Sequence, residues 1–129
     1  MRKVLPLAIA ATLAVSIMAA ASPGAAAAPQ PSVVTTGHCS GTSTWRLTLK
    51  RDHARIEADV EVQTSTAGQS WQSRFTDNGI LFGRATRTTV ADGSFSATRF
   101  AANQAGSDII RVRSVNATTG EVCRASGTF

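Results

Sequence analysis

The chain of 129 residues has the length of one domain behind a leader, and its formal net charge of +5 falls to +3 if Arg2 and Lys3 leave with that leader. A surplus of this size keeps a small domain soluble and gives no argument from charge for nucleic-acid binding. The absence of tyrosine and the presence of only two cysteines, Cys39 and Cys123, narrow the chemistry further.

Residues 1–27 have the three parts of a secretory signal peptide: Arg2 and Lys3, a mostly apolar run from Val4 to Ala21, and a small-residue exit at Gly24–Ala28. Pro29 disfavours cleavage directly before it, so the mature chain is expected to start at Ala28. Pro6 within the run and the lack of a cationic stop-transfer cluster argue against a retained membrane anchor. Cys39, preceded by Thr36-Gly37-His38, is placed wrongly for a lipid anchor. The expectation is a secreted, extracellular protein with no stable membrane anchor.

Residues 28–40 are rich in Pro, Thr and Val and read as an extended lead-in; the domain proper is expected over 41–129. Cys39 and Cys123 lie near the two ends of the exported portion. In an exported chain, pairing is the expected state. A bridge across about 84 residues is worth roughly 4.5 kcal/mol in the chain-entropy model. The competing use of Cys39 and Cys123, with His38 and His53, as a metal site would require reduced, convergent ligands. No metal and no cofactor is expected.

Beyond the lead-in, period-two alternation dominates. Trp45, Leu47 and Leu49 alternate with polar neighbours, as do Ile56, Ala58, Val60 and Val62. A four-residue loop at Arg51–Ala54 would set Lys50 opposite Arg55, Leu49 opposite Ile56, Leu47 opposite Ala58 and Trp45 opposite Val60. Arg46 would then face Asp59. Asp77-Asn78-Gly79 predicts a tight type I′ turn that brings Phe75 opposite Phe82. Ala91-Asp92-Gly93-Ser94 gives a third turn. A last hairpin with Ala117–Gly120 as its loop puts Val112 opposite Ala125 and Ser114 opposite Cys123, with both pairs facing inward. The fold expected is all-β: a single immunoglobulin-like antiparallel β-sandwich of about 7–8 strands, with hairpins fitting an A–B, C–C′, D–E, F–G plan.

Cys39-Ser40-Gly41-x-Ser43-x-Trp45, Arg55-Ile56-Glu57, Trp71, Asn78-Gly79, Thr86-Arg87-Thr88-Thr89, Gly93-Ser94-Phe95, Asn103 and Thr119-Gly120-Glu121-x-Cys123 together resemble a family of small secreted actinobacterial proteins. The resemblance covers about residues 37–127. It implies a compact immunoglobulin-like sandwich outside the cell, and it brings no catalytic residues with it.

Candidate chemistry is sparse. Asp52-His53 is the sole acid–histidine neighbour pair, but it falls in a turn where Asp is favoured for local geometry. Glu57 and Asp59 share one strand face, as a pair for glycoside hydrolysis would, yet Asp59 is expected to pair with arginine. The aromatics are mostly in phase with the core, Trp71 being the least certain of them. Asn116-Ala117-Thr118 matches a glycosylation acceptor and equally a hairpin turn. Arg113 opposite Arg124, with Arg111 two residues away on the same face, stands out because like charges in that position repel. These three arginines are the candidate anion-binding face.

The expected protein is therefore a non-enzyme: a monomeric, secreted binding module acting at or near the cell envelope. Its partner would be a cell-wall polymer or another extracellular protein, and not nucleic acid. The alternative is a small secreted inhibitor of an extracellular enzyme, working through the loops at one end.

Overall fold

The computed structural model describes residues 31–129; the expected leader, 1–27, lies outside them. Among the described residues there are eight strands and no helix: β1 Ser32–His38, β2 Thr44–Asp52, β3 Arg55–Gln63, β4 Ser70–Asp77, β5 Ile80–Thr88, β6 Ser94–Ala102, β7 Ile109–Asn116 and β8 Val122–Thr128. They form two four-stranded antiparallel sheets. Sheet I runs β1-β2-β3-β6 and sheet II runs β5-β4-β7-β8. No described helix is long and apolar enough to cross a membrane.

Each strand has one buried and one wet face, as its alternation requires. Leu47, Leu49, Ile56, Ala58, Val60 and Val62 of sheet I meet Trp71, Phe75, Ile110, Val112, Cys123 and Ala125 of sheet II in one core. Trp71 is fully buried and lies 5.5 Å from the Phe95 ring, so it is a core residue and offers no exposed platform.

Three sequence expectations change. Most of the lead-in is strand β1, whose Val33, Thr35 and Gly37 pair with Leu49, Leu47 and Trp45. The ordered domain thus starts before residue 41. Gly37 suits its place because the Trp45 ring occupies the space of a side chain: a Cβ there would lie 2.5 Å from it.

The β2–β3 register is also shifted by two residues from the expected one. Leu49 faces Ala58, Leu47 faces Val60, Trp45 faces Val62, and Arg46 faces Glu61 instead of Asp59. A two-residue loop decides this. His53 takes a positive φ of 57°, and Asp52 accepts a 2.6 Å hydrogen bond from Arg55 across the turn.

The Asn78-Gly79 turn forms as expected, with φ of 48° and 85°. Phe75, however, pairs with Gly83, and Thr76 with Leu81, leaving Phe82 as a bulge. The β7–β8 register is the one the sequence implies: Val112 faces Ala125, Ser114 faces Cys123 and Arg113 faces Arg124.

The two open sides between the sheets close differently. On one, Cys39 and Cys123 form a disulfide, Thr35 Oγ1 donates to the Ser126 carbonyl, and Ser40 and Val122 exchange hydrogen bonds. On the other, Arg99 points inward from β6 and donates through Nε to the Arg84 carbonyl on β5. An inward charged residue at an edge also blunts it against pairing with other chains. The disulfide indicates an oxidising, non-cytoplasmic environment.

Candidate functional site

Arg111, Arg113 and Arg124 lie together, exposed, on the outer face of sheet II. Two further arginines that sequence reasoning missed complete the arrangement. Arg84 pairs with Arg74, Arg74 with Arg113, and Arg113 with Arg124. An unbroken arginine row therefore crosses all four strands, Arg84–Arg74–Arg113–Arg124, with Arg111 two residues along β7 on the same face, opposite Thr76. At about 4.8 Å per strand the row spans roughly 14 Å.

The bulge at Phe82 creates the first step of the row. Without it, Arg84 would fall opposite Ser73 and point into the core. The extra residue turns Arg84 outward, in line with Arg74. The β4–β7 pairing that joins the two hairpins is long-range, and no local pattern signals it.

The remaining outer positions on this face are Ser70, Gln72, Thr76, Leu81, Thr86, Thr88, Ile109, Val115, Val122, Ser126 and Thr128. None is acidic and none is aromatic. None of the five arginines makes a salt bridge or a side-chain hydrogen bond among the described residues; the ion pairs found all belong to Asp52. Glu121, the acid that could have relieved them, accepts from the Ser43 backbone N and Oγ instead, at 3.1 and 2.6 Å.

Two shallow depressions flank the row. One, of about 350 Å³, is bounded by Gln72, Thr86, Arg74, Arg84 and Arg113. The other, of about 430 Å³, is bounded by Thr76, Ser126, Arg74, Arg111, Arg113 and Arg124. Arg74 and Arg113 border both.

The other sequence candidates separate. His53 is 95% exposed, and its Nδ1 contacts Asp52 at 3.0 Å. Hydrogen bonds from His53 and then Arg55 hold the Asp52 carboxyl below its usual range. Asp59 accepts from Thr98 Oγ1, and Glu57 sits opposite Lys50. His38 and His53 are at opposite ends of sheet I, and both cysteines are oxidised, so the four candidate metal ligands do not converge. Asn116 is buried: its Oδ1 accepts from the backbones of Thr118 and Thr119, and its Nδ2 donates to Gln69. The residue shapes the turn and presents no free amide for glycosylation.

One pair was invisible in the sequence. Asp77 and Asp108 are both buried at the end of sheet II, and no other residue donates a hydrogen bond to their four carboxyl oxygens. Burial, then the neighbouring Asp108 carboxyl, pushes the Asp77 pKa up to about 6. The two acids are 31 residues apart, and the β4–β7 pairing brings them together, with Asn78 bonded to Ser107 and Ile109 and the Asp108 backbone bonded to Phe129.

No family model, curated protein or solved structure matches the chain.

Proposed function

We propose that this protein is a secreted, monomeric, non-catalytic binding module that engages an anionic ligand at or near the cell envelope through the outer face of sheet II. The arginine row carries this reading. Like charges in direct cross-strand pairs cost stability, and here three such pairs stand in series with no acid to relieve them. A local choice that opposes folding without internal compensation marks a functional surface. Guanidinium groups suit the task because they bind oxyanions bidentately and stay charged at any relevant pH.

The strand order supports an immunoglobulin-like description of the fold. β5-β4-β7-β8 matches C′-C-F-G, and the β3–β6 pair matches B–E. The chain departs from that plan in placing a β1–β2 hairpin beside B and in lacking a D strand next to E. The signal-like leader, the disulfide and the resemblance to small secreted actinobacterial proteins support placement outside the cell.

Retention of the protein on an anionic resin, compared with an Arg74→Gln/Arg113→Gln variant, tests the reading. We expect the variant to elute at clearly lower salt than an Arg46→Gln/Lys50→Gln control of equal net charge loss. Equal elution of the two would count against the face. Tight, salt-insensitive capture of one extracellular enzyme through the loops would favour the inhibitor alternative.

A further inference from the structure

We infer that the ligand of the arginine face is a linear polymer of repeated phosphate groups, lying across the strands along Arg84–Arg74–Arg113–Arg124. This rests on the reading of sheet II as the contact face and adds the ligand's class and direction.

The cations form a line, and a line selects a chain. A single phosphate reaches one or two guanidinium groups, and the rest of the roughly 14 Å row would stay unpaired. A chain with several phosphates engages them all, and each contact releases counterions. Thr86 and Gln72 on one side, and Thr76 and Ser126 on the other, add donors along the two flanking depressions. Arg74 and Arg113 border both depressions, so they hold the middle of the chain whichever side it favours.

The face also discriminates by what it lacks. With no aromatic among its outer residues, it has nothing on which bases or sugar rings could stack, which disfavours single-stranded nucleic acid and neutral glycans. An acidic protein partner would call for the Tyr, Trp, Phe or Met anchors that enrich interface cores, and these are missing too. The ligand chemistry left is repeated oxyanions on a thin, flexible backbone. Inorganic polyphosphate and a polyol-phosphate chain share it.

Titration calorimetry on the protein would use orthophosphate, triphosphate, long-chain polyphosphate, poly(glycerol phosphate), poly-glutamate and anionic phospholipid vesicles. Affinity should rise at least tenfold from orthophosphate to triphosphate, and again to polyphosphate. It should then level off once the chain covers four arginines. The slope of log K against log salt for the polymer should be about −3, at roughly 0.7 per contact. Each of Arg74→Gln and Arg113→Gln should make that slope shallower by about 0.7 and weaken binding about fivefold to tenfold. Arg46→Gln should change neither, and circular dichroism should confirm that all three variants fold. Relative affinities for polyphosphate and poly(glycerol phosphate) identify the source of the phosphate. Equal affinity for orthophosphate and polymer overturns the inference, as does preference for poly-glutamate or for vesicles. If none of the six probes binds, the contact-face reading itself fails.

Discussion

On the outer face of sheet I, cations meet acids: Lys50 lies opposite Glu57, Arg46 opposite Glu61, and Arg55 bonds Asp52 while its guanidinium lies 4.3 Å over the Phe100 ring. On the outer face of sheet II the same antiparallel geometry sets Arg84 against Arg74, Arg74 against Arg113 and Arg113 against Arg124. Cross-strand neighbours sit about 5 Å apart on either face, so each pairing contributes a few tenths of a kcal/mol with opposite sign. Sheet I is electrostatically self-sufficient. Sheet II carries three like-charged cross-strand pairs in series with no acid among its outer positions.

The largest expected effect is on the element that joins the two sheets. Replacing both cysteines, Cys39→Ser/Cys123→Ser, should cost up to roughly 4.5 kcal/mol, read as a lower urea midpoint with a somewhat steeper slope, because the freed denatured chain exposes more surface. A loss below about 1 kcal/mol would mean that the edge hydrogen bonds between β1 and β8 suffice without the bridge.

Next in size is charge reversal on the two faces. Arg74→Glu/Arg113→Glu should weaken polyphosphate binding by about a hundredfold or more, while Arg46→Glu/Lys50→Glu, with the same change in net charge, leaves it within about twofold. Similar losses from both would show that net charge matters and the row does not.

The buried acids give a pH test at one end of sheet II. The Asp77 pKa of about 6 lies above its unfolded value near 3.8, so the folded state holds more protons between them. Stability should therefore fall as pH rises from about 4 to 6. Asp77→Asn should flatten that dependence and, at pH 7, raise stability by on the order of 1 kcal/mol. Denaturant midpoints across this range, compared between the two proteins, decide the matter. An unchanged slope would exclude Asp77 as its source.

The smallest effect carries a diagnostic sign. Arg113→Thr should stabilise the protein by about 0.2–1 kcal/mol while weakening anion binding, whereas Arg46→Thr should destabilise it slightly. Thermal melts at low salt separate the two, and the difference should shrink as salt is added.

How far the sequence carried depended on the range of each contact. Alternation placed Leu47, Leu49, Ile56 and Val60 in the core, and Asn78-Gly79 identified its turn. For β7–β8 the loop was delimited by Asn116 and Glu121, and the Arg113–Arg124 pair followed. For β2–β3 the hydrophobic pattern could not choose between registers two residues apart, since both keep every side chain on its own face. The left-handed conformation of His53 and the Asp52–Arg55 bond made that choice. Strand β1 was hidden because Thr35 and Gly37 face inward in place of large apolar residues. Arg74 and Arg84 were missed for two separable reasons: a bulge at Phe82 reverses the parity of β5, and β4 meets β7 across more than thirty residues of intervening chain. The same long-range pairing hid Asp77 beside Asp108.

Mapping amide chemical shifts during titration with polyphosphate tests the contact face most directly. Shifts centred on Arg74, Arg84, Arg113 and Arg124, with sheet I unmoved, are what the arginine row predicts. Shifts centred on Arg46, Lys50 and Arg55, or on the loops joining the sheets, would contradict it.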